Sequence, residues 1–167
     1  MLAFIFIIFG VISRLLPHAA NFTPIAAIAL FGGVYLKRRY ALLLPIAALI
    51  ISDFFIGFGS LQTRLTVYGS FLIIGVIGLL IRNKKSVLTV IAGTVGGSVV
   101  FYLITNFAFF YPETMYAHTL HGVLSSYTNA LPFFRNSLLG DIFYVAIFFG
   151  AHELAAHFNR RKAAVNT

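Results

Sequence analysis

The chain has 167 residues, of which 60% are hydrophobic and only 10% charged; its net charge is +8 and it contains no cysteine. Water-soluble domains carry about a quarter charged residues, so a soluble globular domain is excluded, and the absence of cysteine excludes disulfides, thiol nucleophiles and thiolate metal sites. The positive balance does not point to nucleic acid, because it is concentrated in three short clusters, KRR (37–39), RNKK (82–85) and RRK (160–162), each following an apolar run.

In chain order, the apolar runs predict six transmembrane helices, near 2–16, 20–36, 40–58, 65–81, 87–110 and 137–158, each in the range of lengths that spans a bilayer or slightly short of it. Together they form one all-α transmembrane domain over 1–167, a six-helix bundle. The first run could be a cleaved leader, but no Lys or Arg precedes it, as a signal peptide requires, and its removal would leave five crossings; it is expected to be retained. Runs one and two are short and are joined by PHAANFTP (17–24), whose prolines interrupt any helix. Irregular backbone at membrane depth survives only where it is buried or lines a cavity, so this loop is expected to dip inward. The stretch 111–136 is the longest outer loop, with residues 114–128 able to form an amphipathic helix on the outer face. Basic residues mark cytoplasmic loops. With the three clusters inside, both termini are cytoplasmic, nine of the twelve basic residues face the cytoplasm, and Arg14, Arg64 and Arg135 remain outside. The expected location is the bacterial cytoplasmic membrane, multi-pass.

Polar residues inside the apolar runs are not evenly spread. Asp53 interrupts LIISDFFIG (49–57) a turn or two below the outer boundary. Arg14 and His18 close run one at the same side, Asn21 and Thr23 lie in the first outer loop, Gln62 and Arg64 in the second, Asn106 near the outer end of run five, and Asn136 and Asp141 at the outer end of run six. Only His152, Glu153 and His157 break the pattern at the inner end. Ionisable residues in a membrane are costly and mark functional sites by default, and a layer assembled from six segments is what an outward-facing pocket requires. Each residue also has a plainer reading: Arg14 and Asp53 as a structural ion pair, Asn136 and Asp141 as helix-start groups, Asn106 as an interhelical hydrogen bond, Arg64 and Arg135 as interface anchors. The clustering carries the functional reading.

Other patterns are weaker. His118 and His121, three apart with Glu113 nearby, could contribute to a metal site, but no third ligand is fixed, and no metal or cofactor is expected. Tyr111, Tyr127, Phe133 and Phe134 suit either a flat ligand or an interfacial aromatic belt. Ala26, Ala29 and Gly33 form a small-residue face on run two, and Gly93 and Gly97 another on run five; such faces allow close helix approach, within this bundle for run five, and within it or against another membrane subunit for run two. No nucleotide-binding glycine loop, zincin motif or serine elbow occurs, so the chain is expected not to be an enzyme and has no energy-coupling machinery of its own.

The stretches RLLPHAANFTPIAAIALFGG (14–33), SDFFIG (52–57), TNF (105–107) and NALPFFRNSLLGD (129–141) resemble an uncharacterised family of small bacterial membrane proteins described as transport proteins. The layout is also similar to the substrate-binding S-components of energy-coupling-factor (ECF) transporters, which have six helices and bind ligand near the outer face under loops corresponding here to 17–24, 59–64 and 111–136. That resemblance implies separate ATPase and transmembrane coupling subunits as partners. One departure is that the first helix lacks the Ala-xxx-Ala docking pattern common among S-components, the nearest such face being on run two. The expected function is a membrane subunit that binds a vitamin-like or precursor-like small molecule from outside, with Arg14, His18, Asn21, Asp53, Asn106, Asn129, Asn136 and Asp141 as substrate-binding residues. The balance of Arg14, Arg64 and Arg135 against Asp53, Glu113 and Asp141 suits a neutral or zwitterionic ligand with a flat ring. The alternatives are a membrane-embedded enzyme using Asp53 or Asp141, and a structural membrane protein.

Overall fold

Breaks in the apolar pattern set the helix ends. In the computed structural model, which describes residues 2–165 and the side chains of 4–161, six α-helices run Leu2–Leu15 (α1), Ile25–Tyr35 (α2), Arg38–Ile56 (α3), Leu61–Ile81 (α4), Val87–Thr105 (α5) and Leu120–Val165 (α6), with single 3₁₀ turns at Arg82–Lys84 and Ala108–Phe110 and no strand among the described residues. Pro17 follows the end of α1 and Pro24 precedes α2. Gly57 stops α3 in a left-handed conformation with φ of 109°, which a glycine adopts without steric cost. Ser60 caps α4, its Oγ accepting from the Thr63 N–H at 3.1 Å, and Ser86 and Thr89 form a reciprocal capping box at the start of α5.

α2 is the central element. Its sequence, IAAIALFGGVY, is apolar on every side, and ten of its eleven residues are buried, the behaviour of a helix with no solvent face. It contacts α3, α4, α5, α6 and, more lightly, α1. Around it the neighbours run α1, α3, α4, α5, α6, and the ring closes through the aromatic pairs Phe6–Phe148 and Phe9–Tyr144 between α6 and α1. At eleven residues α2 is about 16 Å long, roughly half the hydrocarbon thickness of a bilayer. The outer surface of the ring is apolar: Phe54, Leu80, Val87 and Leu88 are each more than 70% exposed. So large an apolar exterior suits lipid rather than water, and four helices, α3 to α6, are long and apolar enough to cross a membrane.

Glycines bring α2 against α4. A Cβ on Gly33 would fall 2.5 Å from the Gly75 carbonyl oxygen and 2.6 Å from the Gly78 Cα, and one on Gly78 would fall 2.5 Å from the Leu30 carbonyl oxygen. Gly75 sits equally close to the Ala41 carbonyl of α3, 2.8 Å from where its Cβ would be, and Ala41 is the carbonyl that the buried Pro45 leaves without its helical N–H donor. Ala26, Ala29 and Gly33, considered above as a docking face for another subunit, are fully enclosed within the chain. Gly33 is the member of this face that permits close approach, and the element it meets is α4. Gly93 and Gly97 of α5 likewise pack internally, on Ile77, Ile81 and Leu30 and on Ile74.

α6 departs most from expectation. The stretch 111–136, expected as an outer loop, is helical from Leu120, and the helix continues through Pro132 without interruption for 46 residues, about 69 Å. Pro132 is tolerated because the Thr128 carbonyl it leaves unpaired lies on an exposed stretch, with Thr128, Asn129, Leu131, Pro132 and Phe133 all exposed. The first turns of α6 fold back on α5: the Tyr102 hydroxyl donates to the Tyr127 carbonyl at 2.7 Å, the Tyr127 hydroxyl to the Leu103 carbonyl at 2.9 Å, and Phe134 packs on the Tyr102 ring.

Most exposed basic residues gather at one end of the ring, at Lys37–Arg39, Lys84, Lys85, Arg160 and Arg161, while Arg135 is exposed on the outer part of α6; the side chain of Lys162 lies outside the described residues. Arg82 turns inward there, Nε donating to the Gly33 carbonyl at 2.8 Å and Nη2 to the Leu36 carbonyl. It thereby closes the C-terminus of α2, where a cation also suits the helix dipole.

The α2–α4 crossing predicts that Gly33→Ala and Gly78→Ala each lower stability by about 1–3 kcal/mol, the scale of overpacking. Gly96→Ala, which meets nothing within 4 Å, leaves the melting temperature in detergent unchanged or slightly raised. Equal effects at the three positions would contradict the crossing.

Candidate functional site

At the end of the ring opposite the basic clusters, the loop between α1 and α2 shapes a cavity. Asn21 takes a left-handed φ of 63°, a conformation that Asn accepts more readily than most residues, and the Phe22 N–H bonds the Ala19 carbonyl at 2.9 Å. Phe22 then packs on Phe143 and Tyr144 and over Gly140, where a Cβ would lie 3.2 Å from its Cα. Gly140 thus admits the loop onto α6 directly beside Asp141. Beneath lies a cavity of ≈ 350 Å³, within the size range of small-molecule sites. Arg14, His18, Asn21, Thr23, Ser137 and Asp141 form its polar lining; Ile25, Leu49, Ile56, Val67, Phe71 and Phe101 form most of its apolar wall.

Arg14 and Asp53 form an ion pair. The Arg14 Nη1 lies 2.7 Å from the Asp53 Oδ1. It also donates to the Ser52 Oγ at 2.5 Å and, more distantly, to the Leu49 carbonyl at 3.4 Å. The second Asp53 oxygen accepts from the Tyr68 hydroxyl at 2.6 Å. Both carboxylate oxygens are therefore engaged, and Asp53 itself does not line the cavity. Arg14 does, and its Nε and Nη2 make no hydrogen bond among the described residues.

Asp141 is different. It is 6% exposed, in the middle of α6. Its Oδ2 accepts from the Ser98 hydroxyl at 2.6 Å, and Oδ1 has no partner among the described residues. A carboxylate so deeply placed and half-partnered, at the wall of a cavity, is costly unless something else meets it. The N-terminus of α2 also opens here. Its N-cap is Pro24, no side chain caps it, and the first bonded amide is Ile28, to the Pro24 carbonyl at 2.8 Å. The N–H groups of Ile25, Ala26 and Ala27 therefore have no acceptor among the described residues, and Ile25 and Ala26 line the cavity.

Of the expected substrate-binding residues, Arg14, His18, Asn21 and Asp141 share this cavity, with Asp53 behind Arg14. Asn106, Asn129 and Asn136 are not part of its lining. Asn106 ends α5, its amide donating to the Tyr102 carbonyl at 2.9 Å; Asn129 is exposed and Asn136 half-buried on α6. His118 lies outside as well. Its Nε2 donates to the Tyr111 carbonyl at 2.9 Å, its Nδ1 is 3.3 Å from Glu113, and no group of three metal-ligating side chains occurs among the described residues. Sequence reasoning missed Ser52, Tyr68, Ser98 and Ser137, because a lone hydroxyl in an apolar run carries no pattern.

At the basic end, Glu153 is the centre of a second polar group. Its Oε1 accepts from the Tyr35 hydroxyl at 2.6 Å and from the Lys85 ammonium at 2.8 Å. These contacts, Glu153 first and Tyr35 second, hold the Lys85 pKa above its ordinary value. The cluster ties α2, the turn between α4 and α5, and α6 together beside an apolar groove of ≈ 700 Å³ along α5 and α6.

The ion pair yields a stability prediction. Removing one member of a buried pair costs about 3–5 kcal/mol, whereas replacing both by apolar residues is far milder. Asp53→Ala should lower the melting temperature sharply, and Arg14→Leu/Asp53→Leu should recover most of the loss. A double variant as unstable as the sum of the singles would mean the two side chains do not interact.

A family model described as "Family of unknown function (DUF6580)" matches residues 1–164. Comparison with curated proteins and with solved structures found no match, so the transport-protein and S-component resemblances rest on the sequence motifs and layout alone. With its match running through all six helices, the chain belongs to the DUF6580 family, a family of unknown function.

Proposed function

We propose that the chain is a multi-pass protein of the bacterial cytoplasmic membrane, a six-helix bundle with both termini in the cytoplasm, that captures a small solute from the outer face as the substrate-binding subunit of a transport system. One observation carries the reading: a ≈ 350 Å³ cavity, walled by apolar side chains and ringed by polar ones from α1, the α1–α2 loop and α6, at the end remote from the basic clusters. By the positive-inside rule that end is outside. Arg14, His18, Asn21 and Asp141 contact the solute; Asp53 holds Arg14 in place. Separate ATPase and coupling subunits supply the energy, since no nucleotide-binding loop occurs in the chain. With α2 enclosed, a coupling partner docks on the outer ring of helices instead.

The enzyme reading is less well supported. Asp53 has both oxygens engaged. Ser98, the hydroxyl bonded to Asp141, is 1% exposed and absent from the cavity lining, so it cannot reach a substrate. A purely structural protein would leave the cavity without an occupant.

Two measurements test the proposal. Single cysteines at Ser60 and Asn83, both exposed and at opposite ends, should label oppositely with an impermeant thiol reagent on intact cells, Ser60 from outside. Labelling of Asn83 from outside inverts the topology. Native mass spectrometry of the purified protein should find a bound small molecule at one per chain, released on denaturation; turnover of that molecule by the purified chain would favour the enzyme instead.

A further inference from the structure

Resting on the binding reading above, we infer that the captured solute is a small zwitterion of amino-acid type, a carboxylate and an ammonium on one compact, partly apolar body. The cavity presents two unlike polar ends. One is donor-rich. Arg14 offers Nε and Nη2, and the start of α2 offers the N–H groups of Ile25 and Ala26, uncapped and within an otherwise buried helix. Unbonded amides and the positive end of a helix dipole together favour an anion, and short helices that begin inside a membrane protein commonly aim this end at an anionic group. The other end is acceptor-rich: Asp141, 94% buried by the 6% exposure above, with Oδ1 free.

The charges reject the simpler ligands. Arg14 is neutralised by Asp53 at 2.7 Å, whereas no basic side chain of the described residues contacts Asp141. Arg64, the other nearby cation, lies over the Phe58 ring at 5.2 Å and is not in the lining. A plain anion would satisfy the α2 amides and bring no donor to the Asp141 Oδ1. A plain cation would satisfy Asp141 and leave the amides and the free Arg14 donors unmet. A zwitterion satisfies both ends, and Val67, Phe71 and Phe101 form an apolar wall for its body. His18, Asn21 and Thr23 lie on the loop that covers the site.

The test is a matched ligand series on the full chain in detergent. The protein amino acids, β-alanine and γ-aminobutyrate are screened by thermal shift. Each zwitterion that stabilises the protein is then titrated by calorimetry beside its decarboxylated amine and its deaminated acid. At least one zwitterion should bind, and each single-charge partner should bind at least about tenfold more weakly, the scale of one charge-assisted hydrogen bond. In Asp141→Asn the zwitterion should fall to the level of its deaminated acid while that acid is little changed; if this variant does not fold, the wild-type series decides alone. An amine or an acid that binds as tightly as the zwitterion overturns the inference. If no panel member binds but native mass spectrometry retains a molecule lacking either charge, the inference fails and the binding reading stands. If nothing is bound and nothing is retained, both fail.

Discussion

A helix buried on every side must have both of its ends satisfied by something other than bulk water. The first amides and last carbonyls of any helix lack intrahelical partners, and α2, eleven residues long and enclosed by five other helices, cannot expose them. Its two ends are treated differently. At the C-terminus Arg82 reaches in and bonds the Gly33 and Leu36 carbonyls. At the N-terminus Pro24 provides no side-chain acceptor, and Ile25 and Ala26 line a cavity. The molecule is thus sealed at one end and has a cavity at the other.

The rest of the architecture makes that asymmetry possible. Gly33, Gly75 and Gly78 bring α2 and α4 to backbone contact, and Gly75 brings α4 to the Ala41 carbonyl of α3 nearby. Gly140 lets Phe22 of the covering loop rest on α6. The Arg14–Asp53 pair, steadied by Ser52 and Tyr68, clamps the end of α1 to α3 and α4 while leaving part of the guanidinium facing the cavity. Asp141 is fixed from the opposite side by Ser98 of α5. In a low-dielectric surround such polar contacts are strong when complete and costly when incomplete, which is why the incomplete ones, at Asp141 and at the start of α2, draw the functional reading.

The layer of polar residues was legible in the sequence because Arg14 and Asp53 are the only charged residues in their runs, and Asp141 shares its run only with Glu153 at the inner end. Their pairing was not: a separation of 39 residues between Arg14 and Asp53 becomes a contact only once α1 is known to pack on α3. Asn106, Asn129 and Asn136 joined the expected site on depth alone, and depth cannot tell which face of a helix a residue occupies. Of the small-residue face on run two, Gly33 is where the close approach falls, but the pattern does not name what it meets, which is α4. The length of α6 was hidden by Pro132, Asn129 and Asn136, residues that commonly mark helix ends but that this helix carries in its interior.

The central claim is that the N-terminus of α2 is completed by a bound molecule. Amide hydrogen exchange at Ile25, Ala26 and Ala27, compared between ligand-free protein and protein carrying the molecule it captures, tests this most directly. These three amides should exchange measurably faster than their neighbours Ile28 to Leu30 in the ligand-free protein and become protected on binding, while the amides around Arg82 stay unchanged. Exchange at the three positions that is slow in both states, or unaffected by a molecule known to bind, would contradict the account.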